Sequence, residues 1–312
     1  MHDAVRLLQA SPIGSLLNDK YITDVTYNGE EIYYMSSLVG RQFHQLYSKN
    51  DALNLIRQIA NLTNQLFTFQ NPVLDVVFAH YRLSAVHPLI GRDKEDAAVS
   101  FALRIANLNK NLLVESGTIT NELELVLRKV MAAKRSIVLS GQTGVGKTEL
   151  QRYLIGLLEE HERLLVIDQG IELALTKTHH PHLDLTLWRY ENRSGDSSLA
   201  SLIKTSLRFN PDYIVVAEAR GEEIIDIYNA TLSGHPSIFT MHSQNEEVVF
   251  DRMLAMTNYE LPVTRQDLTR AFPYIIHLSK RKEGDKIMRT IKCIVSYENN
   301  QDKGVYLYYE KV

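Results

Sequence analysis

Residues Gly141–Glu149 read GQTGVGKTE. Three glycines within six positions, then a lysine and a threonine, make a poor core. They suit a backbone that must curl tightly, because glycine reaches left-handed φ without steric cost. The stretch follows SIVLS, Ser136–Ser140, an apolar run of strand length. It opens onto Leu150, Tyr153, Leu154, Leu157 and Leu158, which recur at helical spacing over Lys147–Glu159. It therefore fits GxxxxGK[ST] at every position and in the strand-to-helix setting that the motif needs.

The physical reading of that setting is a phosphate cradle. Gly141, Gln142, Thr143, Gly144, Val145 and Gly146 turn their amides toward one phosphate, and the helix N-terminus adds partial positive charge. Lys147 reaches the β- and γ-phosphates, Thr148 offers its hydroxyl to Mg²⁺, and Glu149 closes the binding stretch. The expected ligands are ATP and Mg²⁺.

Hydrolysis needs acids near the metal and the attacking water, and in an open α/β sheet these stand at the carboxyl ends of strands beside the loop. Asp168 ends the run RLLVID, with Glu172 just beyond it, and Glu218 ends DYIVVAE. Glu218 is read as a catalytic group and a metal contact, and Asp168 and Glu172 as further acids. His242 ends SIFTMH at the same edge and is read as a phosphate sensor or water contact.

Apolar strands alternating with helices after residue 118 predict a mainly parallel sheet covered on both faces. In the helix before it, Thr120 is the expected cap, with Leu123, Leu127 and Val130 as its apolar stripe. The segment EEIIDIYNATLSG predicts another helix, with Gly234 just past its end. The last segment, RTIKCIVSYENNQDKGVYLYYEKV, reads as a hairpin. Residues 1–106 predict a smaller α+β domain. There Asn28-Gly29 marks a two-residue hairpin turn, and 50–67 a helix capped by Asn50 or Asp51. Residues 107–118 read as a linker and 119–312 as the nucleotide domain.

The 34 basic and 37 acidic residues give a net charge of -3. That is no nucleic-acid footprint, and KRKEGDK (280–286) and AAKR (132–135) read as solvated loops. A lone cysteine, Cys293, excludes intrachain disulfides and Cys-based zinc sites and reads as a buried strand residue. No apolar run reaches membrane-spanning length, and MHDAVRLLQASPIGS lacks the pattern of a signal peptide. The expected location is the cytoplasm.

The order of these motifs resembles the secretion (traffic) ATPases of type II and type IV systems, over the whole chain. LRFNPDYIVVAEARGEE (207–223) resembles that family's Arg-Pro-Asp lead-in and its Walker B with glutamate. SGHPSIFTMHS (233–243) resembles its His box, LLVIDQGIEL (164–173) its Asp box, and TDVTYNG and YRLSAVHP its N-terminal domain. The absence of a tetracysteine motif makes the chain most similar to the conjugation-type and Tad-pilus branch. The resemblance implies a RecA-like domain and a homo-hexameric ring, with nucleotide between the two domains of each chain. It also implies membrane-embedded secretion or pilus partners, reached from the inner face of the cell membrane without a span of its own. By the same resemblance Glu218 is the general base, Asp168 and Glu172 the Asp-box acids and His242 the His-box residue. Arg208 and Arg220 flank Walker B, and Arg82 and Arg104 lie in segments that lend arginines to the nucleotide.

The match is not complete. Gln169 follows Asp168 where a second acid is usual, Ala217 precedes Glu218 where glycine is common, and Ser233 replaces a common threonine. A nucleic-acid motor on the RecA-like fold, a small-molecule P-loop kinase and a nucleotide-regulated assembly protein of little turnover stand as alternatives.

Overall fold

The computed structural model describes residues 2–93, 96–106, 112–169, 173, 180–190, 198–257, 262–284, 286–299 and 303–310. Two compact units divide the chain: Met1–Asn109 with Lys282–Met288, and Lys110–Arg281 with Arg289–Val312.

The first unit holds α1 (His2–Ala10), β1 (Ile22–Tyr27), β2 (Glu31–Ser36), β3 (Gly40–Leu46), α2 (Lys49–Leu62), β4 (Val73–Phe78) and β5 (Tyr81–Val86). Two short bridges, β6 (Arg92–Asp93) and β7 (Asp96–Ala97), precede β8 (Ser100–Ile105). Six strands form one antiparallel sheet in the order β3-β2-β1-β8-β5-β4. Its inward residues, Val25, Leu103 and Leu83 among them, pack with Leu8 of α1 and Ile56 and Ile59 of α2. The β1–β2 hairpin forms, but its turn is centred one residue later than Asn28-Gly29. Gly29 alone takes positive φ, +113°, while the Asn28 side-chain carbonyl accepts from the amides of Glu30 (3.1 Å) and Glu31 (2.8 Å). The cap of α2 is Ser48, not Asn50 or Asp51, because the helix starts at Lys49 and the residue just before it meets the amide of Asp51.

The second unit contains α3 (Leu112–Glu115), α4 (Asn121–Ala132), β9 (Ile137–Ser140), α5 (Lys147–Ile155), β10 (Arg163–Asp168), β11 (Asp184–Arg189), α6 (Leu199–Ser206) and β12 (Tyr213–Val216). Then come α7 (Glu223–Leu232), β13 (Ser237–Met241), α8 (Val249–Met256), α9 (Arg265–Ala271), β14 (Tyr274–Glu283), β15 (Lys286–Ser296) and β16 (Val305–Tyr309). The sheet order is β11-β10-β12-β13-β9-β14-β15-β16. The first six strands run parallel, and β16 lies antiparallel to β15 as the terminal hairpin.

The central strands of this sheet are buried on both faces. Ile137, Leu139, Leu164, Val166 and Val215 face a core shared with α4 and α5. Their neighbours Val138, Leu165, Ile167, Ile214 and Val216 face one shared with α6, α7, α8 and α9. Such strands read as unbroken apolar runs because both sides need covering. Thr120 caps α4 as expected, its hydroxyl accepting from the amide of Leu123, and Gly234 takes φ +90° just after α7. Cys293 is buried in β15. Lys280–Glu283 belong to the end of β14 rather than to a loop. Among the described residues no helix is long and apolar enough to cross a membrane.

Candidate active site

The six residues between β9 and α5 turn on three glycines with left-handed backbone: φ is +146° at Gly141, +75° at Gly144 and +98° at Gly146. A Cβ on Gly141 would stand 2.5 Å from the carbonyl oxygen of Leu278 and 2.9 Å from Cγ2 of Val145. Glycine is therefore required there by space as well as by φ. Val145 is buried and anchors the loop to the core, whereas Gln142, Thr143 and Gly144 are exposed. Two residues not foreseen from sequence hold the carbonyl side of the loop: Lys280 Nζ donates to Thr143 (2.8 Å) and Arg289 Nε to Gly144 (3.0 Å).

Lys147 begins α5 and is buried, 7% exposed. Its Nζ donates to the carbonyls of Gly141 (2.9 Å) and Gln142 (3.0 Å) and lies 3.1 Å from Nδ1 of His242. An ammonium can only donate, so Nδ1 accepts and the proton of the neutral ring is assigned to Nε2. That Nε2 stands 2.9 Å from Glu218 Oε1. The spacing is that of an ion pair, yet no donor is aligned on Oε1 as a hydrogen bond. The other oxygen, Oε2, is 2.5 Å from Nη2 of Arg220. Burial holds His242 below the ordinary histidine value, the charge of Lys147 pushes the same way, and Glu218 opposes them.

Strand order explains the sequence of contacts. His242 follows β13, which lies beside β9; Glu218 follows β12, one strand further; Asp168 ends β10, further again. Asp168 is buried, with Oδ2 accepting from the amide of Leu173 at 3.0 Å. Glu172 lies outside the described residues. Thr148 is half-buried in the first turn of α5, and Glu149 pairs with Arg152 one turn on. Burial raises the Glu149 carboxyl above the usual carboxylate range.

The four arginines separate into three places. Arg220 joins Glu218. Arg208 is not brought to the loop of its own chain. It precedes β12, and Phe209 beside it accepts from the side chain of Arg163, the first residue of β10. That is the amino-terminal edge of the parallel sheet, whereas loop and Glu218 lie at the carboxyl edge. Arg82 and Arg104 sit in the first unit, directly opposite one another on β5 and β8. Two like charges in register repel. Here Asp75 holds Arg82 through two bonds (3.1 and 2.8 Å), and Asp24 receives Arg104 at 3.3 Å.

Tyr190, just past β11, is a further residue that sequence reading did not single out. It is buried, and its hydroxyl is pushed up to about 12 chiefly by burial, with Arg220, Glu223, Asp168 and Glu218 all within electrostatic reach. No local motif marks it; its place follows from β11 pairing with β10.

ATP and magnesium fit the residues present. The loop turns on three glycines that leave no side chain in the way, and a buried lysine follows it. The described residues contain no group of three or more His, Cys, Asp and Glu side chains able to hold a metal by themselves. A hydroxyl and one carboxylate, completed by phosphate oxygens and water, are what Mg²⁺ takes.

Comparison with known proteins agrees in family and in fold. A putative conjugal transfer protein of Mycobacterium tuberculosis is 28% identical over 219 residues, 68% of this chain and 61% of that protein. The type IV secretion system protein VirB11 of Brucella suis is 35% identical over 132 residues, 42% of this chain and 37% of its own length. The chain thus spans less than two thirds of these relatives. The ATPase DotB of Legionella pneumophila shares the fold at TM-score 0.65 and 20% identity, over 95% of this chain and 81% of that one. The model of the family described as "Type II/IV secretion system protein" matches residues 80–295, more than half of the sequence. The chain belongs to the type II/IV secretion system protein family.

Proposed function

We propose that this chain hydrolyses ATP and converts the chemistry into work for a type IV-type secretion, conjugative-transfer or pilus machine. The observation that carries the reading is the series of close contacts Lys147–His242–Glu218–Arg220 beside the glycine loop. The buried ammonium of Lys147, held on two loop carbonyls, is kept in place for an anion, as a phosphate-binding lysine needs. The relatives named for conjugal transfer and type IV secretion support work of that kind.

In this scheme the amides of Gln142–Gly146 and Lys147 would bind the phosphates, and Thr148 and Glu218 would hold Mg²⁺. Magnesium, when bound, would neutralise charge on the phosphate oxygens. Glu218 orients water and takes its proton. Oε1 is the oxygen for that task, being largely buried and without an aligned donor, while Arg220 fixes Oε2. His242, neutral, passes its orientation from Lys147 to Glu218. Asp168 and Glu172 serve as the Asp-box acids, since Gln169 cannot. Arg82 and Arg104, opposite one another on β5 and β8, are the arginines this reading assigns to the nucleotide, and Arg208 is assigned to a neighbouring subunit. The working form is a homo-hexamer, held at the inner face of the cell membrane through partner proteins.

Two measurements test this. Phosphate release from ATP should vanish in Glu218→Gln while a fluorescent ATP analogue still binds; equal turnover in the variant would overturn the catalytic assignment. Sizing at high concentration with a non-hydrolysable ATP analogue should show a ring, and a strict monomer with and without it would overturn the motor.

A further inference from the structure

Gln151 lies one turn into α5, next to Leu150 and near Leu154 and Ile155, all in the apolar core. It is 0% exposed. Its Nε2 donates to the carbonyl of Val216 at 2.9 Å and to that of Ile238 at 3.0 Å. Val216 closes β12 and stands two residues before Glu218. Ile238 belongs to β13 and stands four residues before His242. Nearby, Thr240 Oγ1 donates to the carbonyl of Ala217 at 2.7 Å, so the exit of β12 is tied to β13 a second time. The other end of the amide, Oε1, is buried and has no hydrogen-bond partner among the described residues.

Leucine would fill this place without the orphaned Oε1, but it would withdraw this donor from the carbonyls of Val216 and Ile238. The buried Oε1 offsets part of what those two bonds contribute. What it secures is geometry. Its two N–H groups are coplanar and diverge at a fixed angle, so one side chain holds a helix to two adjacent strands at a single spacing. The helix is the one that carries Lys147 and Thr148. The strands are those that end in Glu218 and His242.

We propose that Gln151 is a positioning residue that sets the register between the phosphate-binding helix and the strand ends bearing Glu218 and His242. It acts through those two groups and touches no substrate. The inference rests on the ATPase reading above. It deepens that reading by naming what keeps the two halves of the site at catalytic distance.

The test is steady-state ATP hydrolysis and ADP-analogue binding by the full chain, as wild type, Gln151→Leu and Gln151→Met. Both variants keep the volume and remove the donors. The expected result is cooperative unfolding with a modestly lowered melting temperature, and affinity for the fluorescent ADP analogue within about threefold. Against that, kcat should fall roughly ten- to hundredfold, the scale of a misplacement of about an ångström in a reacting group. Wild-type kcat in either folded variant would overturn the proposal. So would a parallel loss of binding, kcat and melting temperature in both variants, which would mark Gln151 as a packing residue only. Absence of turnover in the wild type would instead overturn the ATPase reading, so the two failures are distinguishable.

Discussion

Nζ of Lys147 lies 3.1 Å from Nδ1 of His242. The contact joins the first residue of α5 to the residue after β13, and it decides the state of the ring. A cation beside Nδ1 leaves that nitrogen as acceptor and directs the remaining proton toward Glu218.

The pH dependence of turnover follows from that contact. Burial and Lys147 both hold His242 below the ordinary value of about 6.5. The neutral ring therefore persists as pH falls through that value, and the acid limb of kcat should lie below it. An NMR titration of His242 checks the assignment directly. A midpoint at or above the ordinary value would contradict it.

Replacing Glu218 by glutamine keeps the size and removes the acceptor for a proton. The expected loss in kcat is on the order of a hundred- to ten-thousandfold, the usual contribution of a general base. Nucleotide binding should persist, because the loop and Lys147 are untouched. A phosphate-release assay together with equilibrium binding separates the two.

Gly141→Ala puts a methyl group 2.5 Å from the Leu278 carbonyl at φ +146°. Strain of this kind costs on the order of 1–3 kcal/mol and must distort either the loop or β14. Calorimetry should show a lower melting temperature, and ATP-analogue affinity should fall together with it. An unchanged melting temperature would mean that the loop relaxes freely.

His277 makes stability depend on pH. It is buried in β14, with Nδ1 2.8 Å from Oγ of Ser140. Burial drives it down to about 4, with Lys292 and Lys147 pushing the same way and Glu246 opposing. The unfolded chain takes up this proton near pH 6.5 and the native chain only near 4. Stability is thus full above 6.5 and falls as pH drops through that window, by roughly 2 kcal/mol between pH 7 and 5. Urea unfolding at both pH values should show this decrement in the wild type and a smaller one in His277→Asn.

Several features were legible in the sequence because they are local. The glycine spacing, the strand before it and the helix after it lie in one strand-turn-helix unit, and each part shows in the periodicity of its own residues. The same holds for the apolar strands, for Thr120 as a cap and for Gly234 past α7. Asp168, Glu218 and His242 could be placed at strand ends because parallel strands with crossover connections all point the same way. The turn at Gly29 was missed by one residue and the cap at Ser48 by two or three, since the neighbouring Asn and Asp have the same local chemistry.

By itself the sequence determined a glycine loop shaped for phosphate, a sheet with two apolar faces, and acids at the edge where the loop lies. Only the tertiary structure decided which of these groups meet. Lys147 reaches His242, and His242 reaches Glu218, because β13 and β12 follow β9 in the sheet, an order that chain sequence does not dictate. The same packing sets Arg208 at the far edge, Lys280 and Arg289 on the loop carbonyls, and the amide of Gln151 between two strands. The physical reason is that local conformation depends on neighbours along the chain, whereas a contact between residues far apart depends on how buried faces stack.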